Sequence, residues 1–106
     1  MLLKKHIDIF QYIMKETNEI LQISKALSDE TRISILKDIA VKGMVTCKSI
    51  LDSYGLSQPT LSHHFAVLER AGLINVEKSG KYRLLTLNRS RFKDYKILLG
   101  ALEAAK

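Results

Sequence analysis

The sequence predicts a mainly α-helical domain that carries one β-hairpin. The first observation is a helical pattern in residues 56–73, LSQPTLSHHFAVLERAGL, where apolar residues recur at i, i+4 and i+7. The second is a change of period after Gly72, where apolar and polar residues begin to alternate and Ser79–Gly80 supplies a turn. Helical patterns occupy the rest of the chain, so the hairpin is expected to pack against helices.

Length and composition fit a single domain spanning residues 1–106. The hydrophobic fraction of 46% is ordinary for a globular protein and argues against disorder. Lysine and arginine number 17 against 11 acidic residues, which gives a formal net charge of +6. This basic balance favours a polyanionic partner, either nucleic acid or an anionic membrane surface.

Several functional classes lack their sequence signatures. No run approaches the roughly 18 consecutive apolar residues of a membrane span, and the N-terminal segment has no signal-peptide cleavage site. The single cysteine, Cys47, excludes an intrachain disulfide and fits a reducing cytoplasm. The chain has no phosphate loop, zinc-protease motif or nucleophile elbow, so it offers no candidate active site and we expect that it is not an enzyme. The cysteine usage predicts a cytoplasmic protein, and the only moderate positive charge of residues 2–16 argues against membrane binding.

Residues 2–16 predict an amphipathic helix, and Thr17–Asn18 predicts a break before a second helical segment that ends near Leu27. The apolar stripe of the first segment comprises Leu3, Ile7, Phe10 and either Ile13 or Met14. A helix of this kind is typical of a packing or dimerisation element. His6 is expected to be a surface or interface residue rather than a metal ligand.

The next helix is predicted to open at Ser28–Asp29–Glu30, where a cap precedes acidic residues that the helix dipole favours, and to end at Gly43. Its predicted buried face is Ile33, Leu36, Ile39 and Ala40. Arg32 lies near the start of this helix. Its side chain has two alternatives, which are contact with a phosphate and pairing with an acid inside the domain.

A short helix, Thr46–Tyr54, precedes a tight turn at Gly55. Its predicted core positions are Cys47, Ile50, Leu51 and Tyr54. Free cysteine behaves as a small hydrophobe, so burial is the favoured interpretation of Cys47, with a redox or metal role as the alternative. Two helices joined by a short glycine-containing turn, the second with a polar outer face, form the helix-turn-helix pattern.

The second of these helices, called the recognition helix below, is bounded by Ser57, Pro59 and Gly72. Its packing face is Leu61, Phe65 and Leu68, with His64 toward the packed side, and its polar side chains are Gln58, Thr60, Ser62, His63 and Arg70. Gln, Ser, Thr and His can donate to or accept from base edges in a major groove, so this helix is predicted to read DNA. An ordinary polar surface helix is the alternative.

The hairpin is predicted to have strands of roughly five residues each, which start near Ile74 and Tyr82. Lys78, Lys81 and Arg83 cluster near its tip. A basic tip can lie along a phosphate backbone or in the minor groove, and its position beside the recognition helix favours that interpretation. A solubilising, exposed turn is the alternative.

The last helix is predicted to run over Arg91–Ala105 with Asn88 or Ser90 as its cap. Its apolar stripe is Phe92, Tyr95, Leu98 or Leu99, Leu102 and Ala105. This stripe is apolar enough to need a partner beyond a small domain. Residues 89–106 and 1–16 are therefore predicted to be helical extensions that form a homodimer.

Two stretches carry a family resemblance. KALSDETRISILKDI (25–39) followed by GLSQPTLSHHFAVLERAGLINVEKSGKYRLLTL (55–87) resembles the ArsR/SmtB family of bacterial and archaeal repressors. The resemblance covers residues 20–105 and implies a winged helix-turn-helix homodimer that binds a palindromic operator and releases it when an inducer, often a metal ion, binds. The matching positions implied to face DNA are Gln58, Thr60, Ser62 and His63, with Lys78, Lys81 and Arg83 in the wing.

The sensor site is where the chain departs from that family. The family's cysteine pair would fall at Thr46 and Lys48, with Cys47 between them, and its site on the last helix has no histidine counterpart in residues 89–106. Zinc sites require three or four protein ligands. The chain has only three histidines and one cysteine, and two of the histidines lie in the recognition helix. We therefore expect no metal and no cofactor. The sequence does not identify an inducer, and oxidant sensing by Cys47 is an alternative.

Two functions follow from these patterns. The leading interpretation is a sequence-specific transcriptional regulator, a homodimeric repressor whose partner is double-stranded DNA. The alternative is a winged-helix module whose polar helix contacts another protein. Duplex binding with a steep salt dependence and a measurable sequence preference distinguishes the first from the second.

Overall fold

The computed structural model describes the backbone of residues 2–105 and the side chains of residues 9–105. Its elements are α1 (Leu2–Leu27), α2 (Glu30–Lys42), β1 (Val45–Thr46), α3 (Cys47–Tyr54), α4 (Gln58–Arg70), β2 (Ile74–Ser79), β3 (Tyr82–Leu87) and α5 (Arg89–Ala104). This order confirms the mainly α-helical fold with a hairpin wing. The side-chain roles predicted for Leu3, His6 and Ile7 lie outside the described residues.

The helices α1, α2, α3 and α4 and the sheet share one hydrophobic core. Its fully buried large side chains are Ile23, Ile35, Ile39, Ile50, Leu61, Leu68, Leu73 and Leu85. Leu61 and Leu68 confirm the predicted packing face of the recognition helix, while Phe65 is half-buried. Of the core positions predicted for α3, Ile50 is buried and Cys47 is half-buried.

The first helix is continuous, so the break predicted at Thr17 is wrong. The Thr17 hydroxyl donates to the Ile13 carbonyl oxygen over 3.0 Å, which satisfies it within the helix instead of capping a new one. Ile23 is fully buried, whereas Phe10 is 64% exposed, so the helix packs through its second half. No helix of the described chain, including this one, is long and apolar enough to cross a membrane.

The second helix is capped one residue later than predicted. Asp29 rather than Ser28 caps it, because the Asp29 carboxylate accepts the backbone N–H of Arg32 over 3.0 Å. The same hydrogen bond is the largest cause that lowers the pKa of Asp29. Burial is centred on Ile35 rather than Ala40, which is exposed, because α2 packs against α1, α4 and β3 together.

The sheet has three antiparallel strands in the order β1-β3-β2, one more than predicted. Thr46 belongs to β1 rather than to the short helix, and its hydroxyl caps α3 by accepting the Ser49 N–H over 3.0 Å. A strand of two residues is too short to show a periodicity. The hairpin turn lies one residue later than predicted, at Gly80–Lys81.

The register of the hairpin places one of its faces on the core. Ile74 pairs with Leu87 and Val76 pairs with Leu85, and β1 extends this face by pairing Val45 with Leu85. Ile74, Val45 and Leu85 are all buried. The alternation predicted for the two strands is therefore confirmed. The same register determines which side chains at the hairpin tip lie on the face of the sheet that packs against the core.

The recognition helix has the end signals that the sequence predicted. Ser57 caps it by accepting the backbone N–H of Thr60 over 3.3 Å. Beyond its last turn, Gly72 has a φ of 78°, a conformation that glycine adopts without steric cost. The Arg91 side chain lies 3.2 Å from the position that a Cβ at residue 72 would take, so a larger residue would also force this side chain to shift.

The last helix packs along the second half of α1. It begins at Arg89, two residues earlier than predicted, and Asn88 holds the cap position without a capping hydrogen bond from its side chain. The Tyr95 hydroxyl lies 2.9 Å from the Ser24 hydroxyl of α1. No described residue of this helix is fully buried, and Leu102 is 63% exposed, so much of the predicted stripe is uncovered.

The Arg32 side chain joins three helices. Its Nε donates to the carbonyl oxygen of Ala26 over 2.8 Å, and its Nη2 donates to that of Lys25 over 3.0 Å, where α1 ends. Its Nη1 lies 3.1 Å from Nδ1 of His64, which is buried on the packed side of the recognition helix. A guanidinium only donates, so Nδ1 is the acceptor and the ring proton lies on Nε2. Among the described residues Arg32 pairs with no acid, so that predicted alternative is wrong, while contact with a phosphate stays a prediction. The structural assignment of His64 is confirmed.

Tyr54 makes the free energy of unfolding depend on pH in the alkaline range. Burial raises the pKa of Tyr54 to about 12, aided by the 2.7 Å hydrogen bond that its hydroxyl donates to Asp38 and by the carboxylate charge. The unfolded side chain ionises near pH 10. The stabilisation is therefore complete below pH 10 and is lost as the pH rises toward 12. We expect the free energy of unfolding in urea to fall more steeply over this window than in Tyr54→Phe; equal slopes would contradict the assignment.

Replacing Arg32 should destabilise the fold through its lost hydrogen bonds. We expect Arg32→Met to lower the free energy of unfolding by about 2 kcal/mol or more, since a hydrogen bond to a charged group contributes about 1.5–3 kcal/mol. Arg70→Met is the matched control, because its exposed guanidinium contacts only the Ala66 carbonyl oxygen of its own helix, over 3.3 Å. Urea denaturation of both variants is the measurement, and similar losses would show that the bridge contributes nothing.

Candidate nucleic-acid interface

The recognition helix presents its predicted base-reading side chains to solvent. The exposed residues are Gln58, Thr60, Ser62 and His63. Leu61 and Leu68 of the same helix are fully buried in the core. Because turning the helix would expose both leucines, its packing fixes the direction of the polar face.

These polar side chains differ in whether they already form hydrogen bonds within the protein. The Thr60 hydroxyl lies 2.8 Å from the Ser57 hydroxyl, so it belongs to the hydrogen-bonded first turn of the helix. Within residues 9–105, Gln58, Ser62 and His63 form no side-chain hydrogen bond. Their donors and acceptors are therefore available to a ligand outside the chain.

The tip of the hairpin concentrates positive charge. Lys78 and Arg83 are direct cross-strand partners, and both side chains are exposed. Like charges opposite each other in an antiparallel pair repel and destabilise the hairpin. Lys81 adds a third cation, with Nζ 5.4 Å from the centre of the Tyr82 ring. In the described part of the chain no acidic side chain pairs with these cations, so a polyanion beside the tip would relieve the repulsion.

The recognition helix and the hairpin line a common cleft of about 410 Å³. Gln58 and Ser62 line it from the recognition helix, and Lys81 and Arg83 line it from the hairpin. Two segments that lie apart in sequence therefore contribute predicted DNA-contacting residues to one surface. Thr60, His63 and Lys78 do not line the cleft, although all three are exposed.

Lys48 is a cleft residue that the sequence did not assign to a site. It lines the cleft from α3 and lies 3.5 Å from Asp52, with both side chains largely exposed. Such an exposed pair contributes little energy. A lysine in the first turn of α3 has the same local pattern as any solvated lysine, so no local signal marked Lys48 as a site residue.

Cys47 also lines the cleft and is half-buried. Burial raises the pKa of its thiol, and the Arg83 charge offsets this only in part. A raised pKa keeps the sulfur protonated near neutral pH, whereas reactive cysteines need the thiolate. This environment favours the structural interpretation of Cys47. Among the described residues, no group of three or more His, Cys, Asp and Glu side chains is placed to hold a metal ion.

The sequence is similar to known transcriptional regulators. Residues 27–77 match the family model described as a helix-turn-helix domain. The chain is 33% identical over 81 residues to an HTH-type transcriptional regulator of Methanocaldococcus jannaschii, covering 76% of this chain and 91% of that protein. It is 36% identical over 77 residues to an arsenical resistance operon repressor of Staphylococcus xylosus, covering 73% and 72% of the two chains.

Solved structures share the same architecture. An ArsR-like transcriptional regulator from Rhodococcus sp. RHA1 superposes with a TM-score of 0.74 at 23% identity, covering 83% of this chain and 82% of that one. Reduced HlyU from Vibrio cholerae superposes with a TM-score of 0.65 at 26% identity, covering 90% and 99%. Together with the exposed recognition helix and the basic hairpin, these similarities place the chain in the ArsR/SmtB family of winged helix-turn-helix DNA-binding transcriptional regulators.

Proposed function

We propose that this protein is a homodimeric repressor that binds a two-fold symmetric operator in double-stranded DNA. The observation that carries the proposal is the joint exposure of polar side chains on α4 and of cations on the hairpin around one cleft. The similarity to the arsenical resistance operon repressor of Staphylococcus xylosus supports repression rather than activation.

Each part of this surface has a separate role in the proposed complex. The recognition helix enters the major groove, where Gln58, Ser62 and His63 discriminate between base edges and Thr60 supports the first turn. The hairpin lies along the backbone, where Lys78, Lys81 and Arg83 neutralise phosphates. The hairpin contacts supply salt-dependent affinity, and the helix contacts supply sequence preference.

The exposed apolar side chains of α1 and α5 support the homodimer. The large hydrophobic side chains exposed on these two helices are Ile9, Phe10, Tyr12, Ile13, Met14, Leu21, Ile97, Leu99 and Leu102. Large apolar side chains left exposed in this number favour an interaction site. A second copy would cover it and add the core that one short chain lacks. In this proposal residues 1–106 form one domain, with residues 1–16 and 89–106 as the dimerisation extensions.

The experiment that tests the function is selection from random duplex DNA by the purified protein at near-physiological salt, followed by sequencing. A symmetric motif with half-sites about one helical turn apart would support a dimeric operator-binding regulator. Absence of enrichment, with weak binding that salt abolishes, would overturn the proposal in favour of a module that contacts another protein.

The two halves of the DNA surface should respond differently to substitution. We expect Gln58→Ala combined with His63→Ala to reduce the preference for the selected motif over mismatched duplex by about tenfold or more, because a good base contact contributes about 1–3 kcal/mol of discrimination. Lys81→Ala should weaken binding to all sequences alike and reduce the salt slope by about 1. Fluorescence anisotropy at several salt concentrations measures both quantities.

Lys96→Ala provides the control for these variants, because this exposed lysine of α5 lies outside the cleft lining. Its affinity for matched and mismatched duplex should equal that of the native protein. Equal losses on both duplexes in the Gln58/His63 variant would remove the base-reading role from those residues.

A charge placed in the exposed apolar stripe should prevent dimerisation. We expect Leu102→Glu to sediment as a monomer at concentrations where the native protein is a dimer, since an unpaired carboxylate would be desolvated at the interface. Lys93→Glu is the matched control, because nine residues are two and a half helical turns and place it on the opposite face. Analytical ultracentrifugation measures the mass, and a Leu102→Glu dimer of native stability would contradict the assigned interface.

A further inference from the structure

The cleft between α3, α4 and the hairpin has the dimensions of a small-molecule site. Its volume of about 410 Å³ lies within the range of roughly 300–1,000 Å³ typical of ligand pockets. Leu51, Leu61 and Phe65 give it an apolar side. Leu61 is fully buried and belongs to the core, so this side of the cleft is part of the rigid domain.

The rest of the lining is strongly basic. Lys48, Lys81 and Arg83 line the cleft, and no acidic side chain does so among the described residues. The contact between Lys48 and Asp52 is 3.5 Å long, and both side chains are more than 60% exposed, so solvent screens it. A ligand in this cleft would therefore meet uncompensated positive charge beside an apolar wall.

The sheet register directs Arg83 toward the cleft. Alternation along a strand puts Arg83 on the same face of β3 as Leu85, which is fully buried against the helices. The Arg83 charge acts on Cys47, where it lowers the thiol pKa against the larger effect of burial. Arg83 thus has its charge close to the apolar part of the cleft, and its fork of N–H donors can bind a carboxylate through two parallel hydrogen bonds.

We propose that this cleft binds a small organic anion with an apolar body, its carboxylate on Arg83 and its body against Leu51 and Phe65, and that this ligand excludes DNA. The exclusion rests on the proposed function, because Gln58, Ser62, Lys81 and Arg83 serve both surfaces. A bound carboxylate would occupy the cations that the phosphates need. Release of the operator would then require direct competition rather than a change of conformation.

The first test titrates the full-length protein with 2-naphthoate, an aromatic carboxylate, and with 2-naphthalenemethanol, its uncharged counterpart. We expect 2-naphthoate to shift the amide resonances of Cys47, Leu51 and Phe65 in ¹H–¹⁵N spectra and to bind at least tenfold more tightly than the alcohol. Shifts confined to α1 and α5, or equal affinities for the two probes, would overturn the proposal.

Two variants locate the charge that binds the carboxylate. Arg83→Gln should weaken 2-naphthoate about tenfold and leave the alcohol unchanged. Lys37→Gln removes the same charge from an exposed position of α2 outside the cleft lining and should leave both affinities unchanged. Equal losses in the two variants would mean that general attraction to a basic protein accounts for binding, and the assigned site would be wrong.

The second test adds 2-naphthoate to the complex with the selected duplex. We expect the apparent Kd for DNA to rise in proportion to one plus the ratio of 2-naphthoate concentration to its own Kd, with no effect of the alcohol at equal concentration. Unchanged DNA affinity at saturating 2-naphthoate would overturn the exclusion while leaving the repressor proposal intact. If 2-naphthoate binds in the cleft but no duplex binds, the repressor proposal and the exclusion fail together, and the anion site stands.

Discussion

The orientation of the recognition helix depends on the Arg32 bridge. One guanidinium satisfies the last carbonyl groups of α1 and holds the buried His64 of α4. His64 is buried on the packed side of the helix, so this contact, together with the buried Leu61, fixes which side chains face outward. A displacement of the end of α1 relative to α4 would strain these bonds unless the Arg32 side chain moved with it. Besides the core that they share, the proposed dimer helix and the proposed reading helix are therefore bridged by this one side chain.

The core imposes a similar constraint on the hairpin. Leu85 is fully buried and pairs with both Val76 and Val45, so the strands cannot slip by one residue without moving Leu85 to solvent. The same register sets Arg83 beside the cleft and opposite Lys78. The repulsion between these cations is thus a consequence of packing further down the strands. Core hydrophobicity determines where the positive charge of the tip is presented.

Local signals made the recognition helix predictable. Ser57 and Gly72 act within a few residues of themselves, and helical periodicity placed His64 on the packed side. Partners distant in sequence were not predictable. Two residues of β1 show no period, and the contacts of Arg32 are backbone carbonyls of another helix, which any residue type could supply. The break predicted at Thr17 is wrong because its hydroxyl donates to a carbonyl oxygen inside the helix. The cleft joins Cys47 to Arg83, a proximity that only the folded sheet creates.

Dimerisation through the apolar faces of α1 and α5 compensates, in the proposed complex, for the limited DNA-contacting surface of one chain. In the proposed complex, one α4 offers few base contacts, each contributing about 1–3 kcal/mol of discrimination, and the phosphate contacts of the hairpin carry no sequence information. Joining two copies through the apolar faces of α1 and α5 makes contact with the second half-site intramolecular. This linkage raises affinity without any new contact to DNA. The proposed dimer would also bury large apolar side chains, such as Phe10 and Leu102, that a single chain of 106 residues leaves exposed.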